Sequence, residues 1–151
     1  MAETETLEEA KENIVDEFSM FDDWVDRYEY IIELGRGLEG LPDAFKTDTY
    51  KVKGCQSQVW FAADEADGRL LFSADSDAMI VRGLIALLLR VYSGRTPDEI
   101  IATPPEFFEK IELGSHLSGS RANGLHAMIR HIQGYACSQK AGADILAPPA
   151  G

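Results

Sequence analysis

Apolar residues in the first third of the chain recur every three or four positions, which is typical of amphipathic helices. One helix is predicted to begin at Leu7. A second is predicted to begin at the aspartate pair 22–23, because carboxylates suit the positive end of a helix dipole. The glycines that follow, Gly35 and Gly37, are expected to end this second helix.

Three short segments in the middle of the chain have the pattern of β-strands. Residues 49–53 alternate between apolar and polar side chains, and residues 58–64 form a short run of β-forming residues. The sequence DEADG at residues 64–68 predicts a hairpin turn, after which residues 69–75 supply a returning strand. We therefore expect an antiparallel sheet of about three strands.

The second half of the chain predicts further helices. Residues 76–94 form a segment that is apolar nearly all round and is expected to lie in the core. Ser76 or Asp77 is a suitable N-cap for it, and Gly94 suits the position beyond its last turn. A closing helix is predicted from an apolar stripe at helical spacing, made by Leu125, Met128, Ile129 and Ile132.

The order of helices, sheet and helices indicates an α+β fold, with a small antiparallel sheet packed against helices. The chain has 151 residues, the usual length of one domain, and we expect that domain to cover residues 1–140. Residues 141–151 contain two adjacent prolines and are expected to form a flexible tail.

Charge and composition exclude some classes of function. The chain carries 14 basic and 26 acidic residues, a formal charge of -12, which argues against binding nucleic acid or an anionic membrane. Its most apolar stretch, residues 79–91, contains two arginines and is too short to cross a bilayer. The first residues lack the features of a signal peptide, so we expect two free cysteines in a reducing cytoplasm.

The two cysteines differ in their surroundings. Cys137 lies off the best apolar stripe with nothing distinctive beside it, and we interpret it as a small packing residue. Cys55 lies in the sequence KGCQSQ between two predicted strands, where a scaffold presents loops that often carry reactive groups. Gly54 lets the backbone turn sharply, and Lys51 and Lys53 favour the nucleophilic thiolate. The residues alone leave both a reactive thiol and a packing cysteine open.

Three separated motifs carry a resemblance to a known family. They are GCQSQVW at residues 54–60, DSDAMIVRGLIALLLRVYSGRTPDEI at 75–100 and HLSGSRANGLHAMIRHIQ at 116–133. With these motifs in the family's order, residues 24–136 resemble the SufE family of cysteine-desulfuration proteins. One departure is Gly119, where many relatives are expected to have proline. The resemblance implies an α+β fold that is also seen in IscU-type scaffold proteins.

The resemblance also implies a chemistry for Cys55. In the SufE family the loop cysteine accepts sulfane sulfur from a PLP-dependent, SufS-like cysteine desulfurase. It then carries the sulfur as a persulfide to a SufBCD-like scaffold for iron–sulfur cluster assembly. The protein is thus expected to accept sulfur and activate the desulfurase rather than act as an independent enzyme, with no cofactor or metal of its own. The family also suggests a homodimer.

Four other residues are candidates for supporting the loop or contacting a partner. Gly54 would serve as a hinge if the loop swings from an apolar hollow towards a partner, and Gln56 would bond loop backbone or partner. Asp77 lies at the end of the sheet that is near the cysteine loop in this family, although capping the core helix is an alternative role. Arg121 lies at a predicted helix start, where the dipole disfavours a cation; this misfit leaves open both a role near the loop and an ordinary surface arginine.

Two other classes of function stay open. A scaffold that holds an iron–sulfur cluster would need several cysteines, and this chain has one in the right region. A regulator that binds the desulfurase through its acidic surface would need no reactive thiol. It would still stimulate the desulfurase after Cys55→Ala, whereas a sulfur carrier would not.

Overall fold

The computed structural model describes residues 6–48, 50–52, 58–103, 108 and 119–140. Its elements, in chain order, are α1 (Leu7–Ser19), α2 (Trp24–Arg36), a short 3-10 helix (Asp43–Phe45), β1 (Val59–Ala66), β2 (Arg69–Ser76), α3 (Met79–Tyr92), α4 (Pro97–Ile101) and α5 (Gly119–Lys140). This arrangement confirms the predicted α+β class. The predicted tail, residues 141–151, lies outside the described residues.

The first two helices begin where the sequence predicts. Thr6 and Glu9 form a reciprocal capping box at the start of α1, with each side chain accepting a hydrogen bond from the other's backbone N–H. Asp23 is the N-cap of α2, and its carboxylate accepts a hydrogen bond from Asp26 N at 2.9 Å. Both helices therefore have their first free N–H groups satisfied by side chains.

Gly35 does not end α2, contrary to the prediction. The helix continues through Arg36, and Gly37 is its C-cap. Gly35 instead lies where α2 crosses α3, and a Cβ added to it would stand 2.7 Å from the backbone nitrogen of Gly83. A Cβ on Gly83 would stand 2.0 Å from the carbonyl oxygen of Ile31. Both glycines are needed because the two helix backbones are in contact.

The sheet is an antiparallel hairpin. Its register runs from the pair Val59–Ser76 to the pair Ala66–Arg69. The turn residues Asp67 and Gly68 have φ angles of 55° and 78°, which is the left-handed backbone that a two-residue type I′ turn requires. The hairpin predicted from DEADG is thereby confirmed.

The first of the three expected strands is described at residues 50–52, which lie alongside β1. Among the described residues it consists of one antiparallel bridge, between Lys51 and Trp60. Within the described ranges the regular sheet therefore has two strands rather than about three, with residues 50–52 along the free side of β1. Residues 49 and 53, at the two ends of the predicted strand, lie outside the described ranges.

Helices cover one face of this sheet. Phe61 of β1 contacts the ring of His131, and Phe72 of β2 contacts the ring of Tyr135, with centroids 6.0 and 5.9 Å apart; both partners lie on α5. On the opposite face Leu71 is 43% exposed. This face is thus open near the hairpin turn, whereas Trp60 and Asp75, on the same face at the other end of the sheet, are buried.

Helix α3 occupies the core, as predicted, since most of its side chains are buried. Its N-cap is Ala78, without a side-chain cap, so the expectation that Ser76 or Asp77 caps this helix was wrong. The Ser76 hydroxyl accepts a hydrogen bond from Ala78 N at 3.2 Å, and Asp77 bonds elsewhere. Gly94, with φ of 80°, follows the last turn as predicted.

Helix α5 carries the predicted apolar stripe, whose four members are each no more than 1% exposed. Cys137 is a free, exposed thiol, so its interpretation as a packing residue was wrong. The stripe continues instead through Tyr135 and Ala136, which are fully buried. Within the described ranges, none of the helices combines the length and the apolar character needed to cross a membrane.

Candidate functional site

The predicted site residues fall into two groups. Cys55, Gly54 and Gln56 lie in residues 53–57, which are outside the described residues. Asp77 lies within the described chain, and Arg121 belongs to the first turn of α5. The surroundings of the cysteine segment are therefore known from the residues on either side of it.

The two ends of the cysteine segment are held together by backbone hydrogen bonds. Val52 N donates to Val59 O at 2.8 Å, and Phe61 N donates to Tyr50 O at 2.9 Å. Val52 and Val59 are 2% and 0% exposed. The segment that carries Cys55 thus leaves and rejoins a rigid, buried base.

Asp77 fixes the residue at which the chain returns from this segment. Its carboxylate accepts a hydrogen bond from Gln58 N at 3.1 Å, and its own N–H donates to Gln58 O at 3.3 Å. This reciprocal pair lies directly beyond the last strand pair, Val59–Ser76, and extends the hairpin by one position. Asp77 therefore holds the base of the loop rather than the start of α3.

A buried carboxylate lies beside this base. Asp75, which is 4% exposed, faces Trp60 across the hairpin. Its Oδ1 accepts hydrogen bonds from Ser76 N and from the Arg82 guanidinium. Its Oδ2 accepts from Leu41 N at 3.3 Å and pairs with Lys46 Nζ at 3.1 Å. Each carboxylate oxygen of Asp75 therefore has two donors.

The donors around Asp75 determine its ionisation. Burial is the largest single influence and acts to raise the pKa of Asp75. The backbone hydrogen bond from Ser76, the Lys46 ammonium and the remaining donors outweigh burial and hold that pKa below its usual value. In turn the Asp75 carboxylate raises the pKa of Lys46. Asp75 is thus a fixed negative charge between two cations.

Arg82 connects this cluster to the end of α2. Its guanidinium donates to the carbonyl oxygens of Gly35 at 3.3 Å and Leu38 at 2.7 Å. Gly40, at φ of 79°, passes so close to Asp75 that an added Cβ would stand 2.4 Å from Oδ2. The loop after α2, the end of the sheet and α3 are therefore joined in one polar network. Sequence reasoning missed Lys46 and Arg82, although an arginine within an apolar helix is a signal that it has a partner.

Helix α5 runs in the same direction as β1. His131 lies against Phe61, and four residues later Tyr135 lies against Phe72, which pairs with Ala63 two residues further along β1. Four helical residues advance about 6 Å and two strand residues about 7 Å, so the two contacts are about equally far apart along α5 and along β1, as expected for elements that run in the same direction. The N-terminal turn of α5, with Arg121, therefore lies towards the end of the sheet that carries the cysteine segment.

Comparison with known proteins now identifies the family. The sequence model of the SufE family, described as an Fe-S metabolism associated domain, matches residues 12–136. The chain belongs to the SufE family. An uncharacterized SufE-like protein of Rhizobium meliloti (strain 1021) is 46% identical over 127 residues, which cover 81% of this chain and 91% of the relative. A second uncharacterized SufE-like protein, from Rhizobium etli, is 45% identical over 127 residues, covering 81% of this chain and 86% of the relative.

A solved structure shares the fold of this SufE protein. The solution structure of a hypothetical protein from Thermus thermophilus superposes with a TM-score of 0.73 at 19% identity. The match covers 87% of this chain and 96% of that one. At this level of identity the likeness concerns the fold alone.

Membership of the SufE family associates the protein with Fe-S metabolism, in which SufE proteins generally work with cysteine desulfurases. Cys55 and the other candidate residues all lie within the matched region, residues 12–136. Among the residues that the structure describes, there is no cluster of three or more His, Cys, Asp or Glu side chains that could hold a metal ion.

Proposed function

We propose that this SufE protein accepts sulfane sulfur on Cys55 from a SufS-like, PLP-dependent cysteine desulfurase and delivers it for iron–sulfur cluster assembly. The observation that best supports this proposal is the paired base formed by Val52 and Val59, within the region that matches the family. Cys55 is the third residue after Val52, and three residues of extended chain span at most about 10 Å. The covalent chain therefore keeps the thiol close to this base.

The proposed transfer is a thiol exchange. The thiolate of Cys55 attacks the outer sulfur of the persulfide on the desulfurase. An S–S bond forms on Cys55 while the S–S bond of the donor breaks, and the donor cysteine leaves as a thiolate. The outer sulfur keeps its proton or loses it to solvent. The exchange therefore needs no external oxidant or reductant.

Two described features favour the thiolate that this step requires. The N-terminal turn of α5 lies towards the cysteine end of the sheet, and the N-terminus of a helix carries partial positive charge. Lys51, on the strand just before the segment, adds a full positive charge. Nearby positive charge lowers the pKa of a thiol and stabilises a persulfide anion. We assign Arg121, in that helical turn, to the same role.

The remaining candidates would control the loop. Asp77 holds Gln58 in place at the return end of the segment. Gly54 would act as the hinge next to Cys55, and Gln56 would bond loop backbone or partner. After loading, the loop would present the persulfide to a SufBCD-like scaffold. The cytoplasmic setting and the homodimer stay predictions.

A stimulation assay tests this function against the regulator hypothesis. Alanine production by the desulfurase from L-cysteine is measured with wild type, Cys55→Ser and Cys137→Ser. We expect stimulation by wild type and Cys137→Ser and none by Cys55→Ser, because turnover needs an acceptor for the enzyme-bound sulfur. Full stimulation by Cys55→Ser, with its fold verified by circular dichroism, would instead support a regulator that needs no thiol.

A further inference from the structure

The free edge of β2 opens into a groove that the proposed transfer does not use. The groove has a volume of about 500 Å³ and lies between β2, α3 and the end of α2 with the loop that follows it. Phe72, Ser73 and Ala74 of β2 line it, and side chains of consecutive strand residues point to opposite faces of a sheet. A groove that contacts all three residues therefore runs along the edge of the strand, and we call it the edge groove.

Backbone groups lack hydrogen-bond partners where the edge groove lies. Leu70 N donates to Arg95 O at 2.8 Å, so Leu70 directs its backbone groups away from β1. Phe72 and Ala74 do the same, because this direction alternates along a strand. Phe72 N donates to Ser93 Oγ at 2.9 Å, but within the described ranges no hydrogen bond reaches the C=O of Phe72 or either backbone group of Ala74.

This shortage of partners indicates what the groove can bind. Ala74 is 1% exposed, and buried backbone groups without a partner are rare in folded proteins. An extended peptide that lies along the edge of a strand supplies the missing donors and acceptors from its own backbone.

The walls of the edge groove suit an apolar side chain. Leu34 and Leu38 line the wall next to α2, and Ala86 and Leu89 line the wall formed by α3. All four are partly exposed. An apolar side chain of the bound peptide would remove this surface from water, which stabilises a complex.

The rim of the groove determines the charge of its occupant. Among the described residues that line it, Glu33 pairs with Arg36 at 2.7 Å, and Arg90 pairs with Glu17 at 2.7 Å. Glu39 is exposed, and no ion pair engages it in the part of the chain that the structure describes. The rim therefore keeps one negative charge, in a chain whose formal charge is -12. A lysine or arginine of the occupant is attracted there, whereas an acidic segment is repelled.

We propose that the edge groove binds an extended segment of the desulfurase that carries an apolar side chain beside a lysine or arginine. Ala74 lies two residues before Ser76, which pairs with Val59 at the base of the cysteine segment. Two strand residues span about 7 Å, so a partner held in the groove lies next to this base. The inference rests on the proposed sulfur-acceptor function and adds to it a site that anchors the sulfur donor.

Filling the groove tests this inference. Sulfur transfer from the desulfurase is measured at increasing concentrations of wild type, Ala86→Phe and Ala102→Phe. Ala86 lines the groove, whereas Ala102 is exposed at the C-cap of α4 and lies outside the groove. We expect Ala86→Phe to raise the apparent KM at least about tenfold with little change in kcat, because the added ring takes the place of the partner's segment. Ala102→Phe should keep the wild-type KM.

Charge reversal at the rim gives an independent measurement. Glu39→Lys should raise the apparent KM about threefold at low salt, and this defect should shrink in about 0.5 M NaCl because salt screens exposed charges. Glu29→Lys, at an exposed position of α2 outside the groove, has the same change in net charge and should keep the wild-type KM. Because Glu39 is exposed, this variant keeps the test decisive if circular dichroism shows that Ala86→Phe does not fold.

The outcomes separate the possible occupants. A wild-type KM for both Ala86→Phe and Glu39→Lys, with sulfur still loaded on Cys55, would overturn the docking inference and leave the proposed function intact. A lower KM for Ala86→Phe would mean that a segment of this chain occupies the groove, and altered sedimentation of Ala86→Phe without the desulfurase would mean that a second copy does. Either result would overturn the proposed partner. If wild type loads no sulfur at any concentration, the proposed function fails and this inference fails with it.

Discussion

The buried carboxylate of Asp75 provides the sharpest test of how the site is supported. In Asp75→Asn the volume of the side chain is kept, and one carboxylate oxygen becomes an NH2 group. Oδ1 can still accept from Ser76 N and Arg82, whereas the position of Oδ2 faces two further donors, Leu41 N and Lys46 Nζ. An NH2 group at that position is itself a donor, so it cannot accept a hydrogen bond from Leu41 N or from Lys46 Nζ. The variant therefore loses two hydrogen bonds and a negative charge.

The expected cost comes mainly from the buried part of this network. A hydrogen bond to a charged group contributes about 1.5 to 3 kcal/mol, and the bond from Leu41 N to the carboxylate is of this kind. Solvent reaches the Lys46 ammonium, so its pair with Asp75 adds little. The attraction to Arg82, whose side chain is 21% exposed, is also weakened. The free energy of unfolding should therefore fall by about 2 to 3 kcal/mol at pH 7.

Urea unfolding at pH 7 and at pH 3 measures this cost. The pKa of Asp75 is lowered in the folded protein, so its charge stabilises the fold above about pH 4, and this contribution is lost as the pH falls further. The difference between wild type and Asp75→Asn should therefore shrink towards pH 3. Asp16→Asn, at an exposed position of α1, serves as the control. A difference below about 0.5 kcal/mol at pH 7, equal to that of the control, would refute the reasoning.

Two further predictions concern the packing that positions the site. Gly83→Ala should lower the free energy of unfolding, measured in urea, by at least about 3 kcal/mol, because the added Cβ would stand 2.0 Å from Ile31 O. Gly37→Ala should be tolerated, because the nearest atom to its added Cβ is 3.6 Å away. Equal losses of stability in the two variants would contradict the close contact of α2 with α3. Burial lowers the pKa of His131 to about 4, so the unfolded chain takes up a proton at this residue before the folded protein does as the pH falls. The free energy of unfolding of wild type should therefore fall by about 2 kcal/mol between pH 7 and pH 5. His131→Leu should lack this fall, and a pH profile equal to that of wild type would contradict the prediction.

Local patterns were enough to predict most elements of the fold. The hairpin turn could be predicted because Asp67 and Gly68 tolerate the left-handed backbone of a type I′ turn. The start of α2 could be predicted because Asp23 bonds an N–H only three residues away. In both cases the residues that decide the structure are neighbours in the sequence.

Contacts between distant residues could not be predicted in the same way. The sequence marks Gly35 as a helix end because glycine is common there, and only the crossing with Gly83 reveals its other role. Asp77 has the composition of a helix cap, but the end of β1 offers its carboxylate the N–H of Gln58. Asp75 also contacts Lys46 and Leu41, which lie far away in the sequence, and the spacing of apolar residues within a helix or strand cannot predict such contacts.

For the candidate site, sequence reasoning predicted the family, which is confirmed, and proposed Cys55 as the reactive thiol, which stays a prediction; it did not reveal the residues that support the base of the loop. Cys55 is distinguished by the motif GCQSQVW, which the family match now includes. Cys137 was misjudged because a position one step off the apolar stripe can be buried or exposed, depending on what packs beside the helix. Its exposure makes Cys137 the natural control for experiments on thiol reactivity.

The central claim is that Cys55 carries the sulfur. The most direct test is intact-protein mass spectrometry after incubation with a cysteine desulfurase, PLP and L-cysteine, without reductant. Wild type and Cys137→Ser should gain the mass of one or more sulfur atoms, and Cys55→Ser should gain none. A sulfur adduct on Cys55→Ser that disappears in the double variant with Cys137→Ser, or no adduct on wild type with a demonstrably active desulfurase, would contradict the account.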